Sequence, residues 1–338
     1  MRFLIATDAW HPQVNGVVQT YRRLSEQLMS FGHRIEILSP DGYRTIPLPT
    51  YREIRLALIT PAQAKKRIEA FNPDFVHIAT EGPIGVATRA FCLKQDRPFT
   101  TSYHTRFPEY AAARLPIPEG WGYVYERWFH NSARGTMVST ASLRTELAAK
   151  GFKRLLAWSR GVDTELFKPR NIRLFGEGPI FLYVGRLAVE KNLRAFLDLD
   201  LPGKKAVVGG GPQLAALKTA YPDAIFTGPR FGKELADSFA SADVFVFPSL
   251  TDTYGVVLLE ALASGVPVAA YPVTGPKDVI ETGKVGYLDN DLKEAALQAL
   301  SIDRASCRDF ALRFSWETCA RQFINNISSA CSGSIRTP

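Results

Sequence analysis

Only four of the 338 residues are cysteine, Cys92, Cys307, Cys319 and Cys331, and no two of them form a C-x-x-C pair or a zinc spacing. That speaks against a disulfide-stapled fold and a structural zinc site, and the thiols read as small apolar residues of a reducing compartment. The chain also lacks any apolar run of about 18 residues, so no segment has the length to span a bilayer as a helix. Its opening stretch is short and is soon interrupted by Asp8 and His11, which reads as a first strand and not as a secretory leader. G-x-G-x-x-G is missing, which removes the dinucleotide-binding fingerprint. Acidic excess is missing too. Residues 1–168 hold 23 Lys and Arg against 15 Asp and Glu, a net +8, whereas residues 169–338 hold 18 of each. A one-sided basic surface can meet nucleic acid, an anionic membrane or an acidic substrate, and net charge alone does not choose among them. No base-reading motif accompanies it, so nucleic acid is not expected as a partner.

What is present suits two domains of a soluble α/β protein, with 46% apolar and 22% charged residues. Phe3–Thr7 leads through a polar loop with Asn15 and Gly16 into a helical pattern of Val17, Tyr21, Leu24 and Leu28. Strands are expected at 35–38, 75–78, 99–103, 180–184, 205–208, 244–247 and 266–269, and helices at 61–71 and 256–263. Strands alternating with helices predict parallel sheets. Pro169 to Gly178 reads as a linker. Ser315 can cap a last helix whose apolar positions run from Trp316 to Ile327. The expected division is therefore residues 1–168, residues 169–314 and a terminal helix over 315–330.

Chemistry concentrates where strands end. Val244–Phe247 is a short β-branched and aromatic run, and after it comes a polar turn with Asp252, Thr253 and Tyr254 before a helix opening at Gly255. Such a helix N-terminus offers free N–H groups and positive dipole, a natural phosphate site. Earlier, Gly185-Arg186 follows a strand and Lys191 lies five residues on. An Arg that grips two oxygens and a Lys point charge suit a leaving diphosphate, although either alone is common on a surface. Gly209-Gly210-Gly211-Pro212 closes another strand in a turn where only backbone can come near. His104 sits at the end of 99–103, where open parallel sheets bind ligands, yet a single histidine is more often a structural hydrogen-bonder. The triplets 198–200 and 289–291 imitate a metal-binding D-x-D but read as turns or helix ends.

Two segments concern surfaces. Lys65, Lys66 and Arg67 are consecutive on a helix whose other residues include Ala62, Ala64, Ile68 and Phe71. A solvated face or contact with anionic lipid explains them equally. Between Arg114 and His130, Trp121, Tyr123, Tyr125, Trp128 and Phe129 mix with Arg127, which suits the core side of a helix or an interfacial, acceptor-binding wall.

Taken together and in order, five motifs resemble the retaining family 4 glycosyltransferases of the GT-B fold. They are YHTRFPEY around His104, WSRGVD from Trp158, Gly185-Arg186 with Lys191, the Gly209–Pro212 turn, and Asp252-x7-Glu260 in place of the family's E-x7-E. The Trp-x-Arg-Gly-Val-Asp form is most similar to the sulfolipid-synthase branch. The resemblance implies two Rossmann-like domains facing a cleft, the first for the acceptor and the second for the nucleotide sugar, with the last helix crossing back to the first. It implies Arg186 and Lys191 on the diphosphate, Glu260 on the ribose, and Asp252 and His104 on the hexose. Asn15, Gly16, Gly185, Gly211, Thr253, Tyr254 and Gly255 are expected around the donor. Lys65, Lys66, Arg67, Trp121, Arg127 and Trp128 are expected toward a lipid acceptor and an anionic membrane, as in a cytoplasmic protein peripheral at the inner face of its membrane. No metal or cofactor is implied. A glycosyltransferase of polysaccharide or lipopolysaccharide assembly, a nucleotide-sugar epimerase or hydrolase, and a non-catalytic basic module remain alternatives at this point.

Overall fold

Strand ends and helix caps follow the punctuation of the sequence throughout the computed structural model, which describes residues 1–11, 13, 15–48, 51–112, 118–250 and 254–331. The chain divides into two compact units, Met1–Ser159 with the residues from Trp316 on, and Arg160–Ser315.

In the first unit, β1 (Arg2–Ala6), β2 (Arg34–Leu38), β5 (Phe75–Ile78), β6 (Phe99–Tyr103), β7 (Gly135–Val138) and β8 (Leu155–Ala157) form one parallel sheet in the order β2-β1-β5-β6-β7-β8. Its direction of winding reverses between β1 and β5. Side chains alternate as a strand requires: Phe3 and Ile5 enter one core with Trp158 and Phe323, while Leu4 and Ala6 enter the other with Ile68 and Phe91. The helices are α1 (Gly16–Ser30), α2 (Pro61–Phe71), α3 (Pro83–Lys94), α4 (Phe107–Ala112), α5 (Glu119–His130) and α6 (Ala141–Ala149). Thr60 starts α2 with a full capping box to Gln63 and Pro61 at its first turn, which is why that boundary is sharp.

The helix Trp316–Cys331 also belongs to this unit and packs beside α1. Cys319, Ala320, Phe323 and Ile327 are fully buried, and the Trp158 indole N–H donates to the Cys319 carbonyl at 3.1 Å. A separate antiparallel hairpin, β3 (Thr45–Leu48) with β4 (Tyr51–Ala57), was not expected, because Pro47 and the charges of β4 mask its pattern.

The second unit repeats the architecture with β9 (Ile180–Val184), β10 (Lys204–Val208), β11 (Ile225–Gly228), β12 (Val244–Phe247), β13 (Val268–Ala270) and β14 (Gly286–Leu288), in the parallel order β11-β10-β9-β12-β13-β14. β13 begins two residues later than expected, since Pro267 has no N–H to give to the ladder. The stretch from Pro169 to Gly178 is no free tether. Phe175 is buried, Arg173 pairs with Asp243 at 3.0 Å and Arg170 with Asp237 at 3.1 Å. Both units thus present the carboxyl ends of their strands at a point where strand order reverses, the place where open parallel sheets bind ligands.

Candidate active site

In the second unit the reversal lies between β9 and β12, and the expected donor motifs stand on either side of it. Gly185 and exposed Arg186 follow β9, and the Arg186 carbonyl accepts the Tyr183 hydroxyl at 3.0 Å. A single 3₁₀ turn, Val189–Lys191, then presents Lys191, half-buried, just before Asn192. Asn192 takes a left-handed conformation (φ 53°) and donates its side-chain amide to the Pro248 carbonyl at 3.2 Å. That bond ties the loop after β9 to the loop after β12.

Behind this loop the three glycines after β10 pack against it. Leu187 N–H donates to the Gly210 carbonyl and Gln213 N–H to that of Leu187. Gly209, at φ +153°, lies so close that a Cβ would stand 1.8 Å from the Gly185 carbonyl oxygen. Gly211 likewise abuts Leu187. On the other side of the reversal, Tyr254 is buried and Gly255, at φ +76°, is the N-cap of the helix Val256–Ala263. Glu260 lies half-buried on that helix. Asp252 and Thr253 fall outside the described residues, as does Arg114. The two D-x-D look-alikes are occupied otherwise. Asp198 accepts the Tyr221 hydroxyl at 2.5 Å and Asp200 pairs with Lys293 at 3.4 Å; Asp289 accepts the Asp291 N–H at 2.8 Å, and Asp291 caps the helix Leu292–Ala299.

In the first unit the reversal lies between β1 and β5, and there the structure adds a residue that sequence reasoning passed over. Asp8 follows β1, is buried, and accepts hydrogen bonds from Ile84 N–H (2.9 Å), Gly85 N–H (3.3 Å) and the Thr80 hydroxyl (3.0 Å). A carboxylate thus fills the anion position at the N-terminus of α3, and a Cβ on Gly82 would meet it at 2.4 Å. Burial nevertheless pushes its carboxyl up to about 6, against the lowering effect of those bonds. The signal was a carboxylate directly after a first strand, read only as the strand's end.

Asn15 caps α1, its side-chain oxygen accepting the Val17 and Val18 N–H groups at 3.0 Å, and Gly16 is the first helical residue with open space where a Cβ would be. His104, half-buried at the end of β6, meets the Tyr21 hydroxyl through Nε2 at 2.9 Å. Trp158 packs edge-on to its ring, with centroids 6.2 Å apart.

The surface residues separate into two kinds. On α2 the apolar Ala64 and Ile68 are buried in the unit's own core, so only the basic face is outward. There Lys65 lies 3.7 Å from Glu69 and Arg67 pairs with Glu36. On α5 the split is wider. Tyr123, Glu126, Phe129 and His130 face inward, and Trp121 (72% exposed), Val124, Tyr125 and Trp128 (49% exposed) form one outward stripe at helical spacing. Arg89 stacks on Trp128 at 3.8 Å, and Arg127 donates to the Lys150 carbonyl at 3.2 Å. Among the described residues no helix is long and apolar enough to cross a membrane.

Comparison with known proteins agrees with this arrangement. Residues 14–166 match Glycosyltransferase Family 4, and residues 178–302 match Glycosyl transferases group 1. A GDP-mannose-dependent alpha-mannosyltransferase of Mycobacterium tuberculosis is 32% identical over 85% of this chain and 83% of its own length. The sulfoquinovosyl transferase SQD2 of Arabidopsis thaliana is 32% identical, covering 93% of this chain and 66% of the plant protein. An alpha-monoglucosyldiacylglycerol synthase of Streptococcus pneumoniae is 27% identical over 89% of this chain and 78% of its own length. In fold the chain resembles the sucrose-phosphate synthase of Thermosynechococcus elongatus, with a TM-score of 0.79 at 19% identity over 98% of this chain and 100% of that one. This chain belongs to the family 4 glycosyltransferases, and it is a hexosyltransferase of the GT-B fold that draws on a nucleotide-sugar donor.

Proposed function

We propose that the enzyme is a retaining transferase that moves a hexose from a UDP- or GDP-sugar to a membrane lipid, a diacylglycerol-type acceptor, while docked peripherally at the inner face of the cytoplasmic membrane. The observation that carries this reading is the pairing of two loops in the second unit. Arg186 and Lys191 after β9, and the helix N-terminus at Gly255 after β12, flank one strand reversal and are joined through Asn192. Positive charge and free N–H groups placed there favour an anion that gathers charge as a bond breaks. In this reading Glu260 accepts the ribose hydroxyls, with Gly185, Gly211, Thr253 and Tyr254 around the donor. Asp252 and His104 hold the hexose, and Asn15 and Gly16 approach it by backbone. The acceptor hydroxyl attacks from the leaving-group face and passes its proton to the phosphate. No metal or cofactor enters the scheme.

The lipid acceptor is supported by the name of one relative, an alpha-monoglucosyldiacylglycerol synthase, and by the aromatic stripe of α5. Transfer from UDP- and GDP-sugars to extracted lipids, with mass spectrometry of the products, is the test. Arg186→Ala and Lys191→Ala should each lower turnover about 100-fold or more with the melting transitions unchanged, since each removes charge stabilisation concentrated in the transition state. Near-normal turnover of both variants would overturn the diphosphate clamp. Transfer to soluble saccharides only would overturn the lipid acceptor.

A further inference from the structure

The buried His77 and the half-buried His104, the proposed sugar-facing residue, meet through one phenol. The Tyr21 hydroxyl lies 2.8 Å from His77 Nε2 and 2.9 Å from His104 Nε2. His77 is held in turn on β5, with Nδ1 2.8 Å from the Thr100 hydroxyl and Nε2 3.0 Å from the Ser102 hydroxyl, both on β6. Tyr21, Thr100 and Ser102 are fully buried and His77 is 1% exposed. Tyr21 also packs edge-on against the His104 ring, with centroids 5.3 Å apart at 78°. Trp158 takes the same edge-on place beside both His77 and His104.

We propose that Tyr21 is a positioning residue, whose hydroxyl links His77 to His104 and thereby sets the ring orientation and tautomer that His104 presents to the sugar. The chemistry follows from counting protons. A phenol carries a single proton, so it can donate to at most one of the two imidazoles, and the other must donate to it. If it donates to His104 Nε2, His77 supplies the second bond from Nε2–H, and His104 carries its own proton on Nδ1. If it donates to His77 Nε2, His104 must carry a proton on Nε2, and a neutral ring then offers Nδ1 as an acceptor. The choice at His104 Nδ1, donor or acceptor toward a sugar hydroxyl, is thus coupled to the tautomer of a buried histidine that the Thr100 and Ser102 hydroxyls hold. α1, β5 and β6 each supply one part of the linkage, so the ring is tied to the first helix and, through His77, to the sheet. The inference rests on the assignment of His104 to the hexose.

The test uses the full chain labelled with ¹⁵N in its five histidines, with His104 signals identified by their loss in His104→Asn. In the parent, His104 should show ring shifts of one dominant tautomer. Tyr21→Phe keeps the ring and removes the hydroxyl, and should move the signals of both His104 and His77 toward a tautomer average. It should also lower kcat about tenfold, with KM for UDP-glucose or GDP-mannose changed by less than about twofold in the lipid-extract assay. Thr100→Val removes the hydroxyl that meets His77 Nδ1 and should move the His104 signals as well. Unmoved His104 signals in both variants, with the fold intact, would overturn the proposal. A shift at His77 alone in Thr100→Val would overturn the coupling through Tyr21. Adding UDP-glucose or GDP-mannose to the parent separates this from the reading beneath it. If His104→Asn keeps full turnover and neither donor moves the His104 signals, the sugar-facing assignment fails, even where Tyr21→Phe still moves them.

Discussion

At neutral pH the side chain of Glu126 keeps its proton. It is 2% exposed on α5, and among the described residues neither carboxyl oxygen is within hydrogen-bonding geometry of a partner. Burial, reinforced by the charge of Glu81, pushes it up to about 9. The folded chain therefore holds a proton that the unfolded chain has released anywhere between the ordinary carboxyl range and pH 9. Folding takes up that proton, so stability is fully present below the unfolded pKa and falls as pH rises, by about 1.4 kcal/mol per unit for one group. Glu126→Gln, which keeps the shape and cannot ionise, should flatten this dependence between pH 7 and 8.5, above most of the range in which Asp8 titrates. Urea unfolding followed by tryptophan fluorescence isolates the effect, because Trp10, Trp121, Trp128, Trp158 and Trp316 all belong to the first unit. Equal slopes in parent and variant would show that Glu126 is ionised in the fold. Residues of this kind were the least legible in the sequence. Glu126, Asp8 and the Tyr21–His77 pair owe their properties to neighbours dozens of positions away, and no local pattern records that.

Elements were far more legible. The strands 180–184 and 244–247 and the helices 61–71 and 256–263 are bounded by Pro, Gly, Asp or a capping residue, the strands 75–78 and 99–103 start just after Asp74 and Pro98, and the folded boundaries coincide with those breaks. Close approach between loops left a weaker trace. The glycines after β10 read as a ligand-facing turn, and their tightest contact is with the neighbouring loop. Gly209→Ala should accordingly destabilise the second unit by about 2 to 4 kcal/mol, because its new Cβ must displace backbone and the residue must hold a conformation that alanine rarely adopts. Gly210→Ala, whose Cβ would meet Pro229 at an ordinary 3.7 Å, should stay within about 0.5 kcal/mol of the parent. Calorimetric unfolding of the two variants decides it, and equal losses would mean that the loop–loop contact gives way easily.

For the molecule as a whole, the surplus of positive charge in residues 1–168 and the outward stripe of α5 lead to a prediction about surfaces. Each basic residue near an anionic bilayer contributes about 1 kcal/mol, but Lys65 and Arg67 already have carboxylate neighbours, whereas Trp121 and Trp128 are large exposed rings. Trp121→Ser with Trp128→Ser should therefore weaken binding to phosphatidylglycerol vesicles about tenfold or more, and Lys65, Lys66 and Arg67 changed together to Ser only a few-fold. Sedimentation at low salt measures both, and the reverse ranking would move the docking face to α2. Affinity for UDP or GDP should be unaffected by either. The helix Trp316–Cys331 has a consequence of another kind. It closes the core of the first unit around Trp158, yet it is made after all of Arg160–Ser315. On a ribosome the usual order, in which the N-terminal domain matures first, is therefore inverted. The second unit emerges as one continuous stretch and can fold at once, while the first must wait with Phe3, Tyr21 and Trp158 uncovered until its last helix arrives. A released chain truncated just past Ser315 should accordingly resist protease across 160–315 and be cut within 1–159.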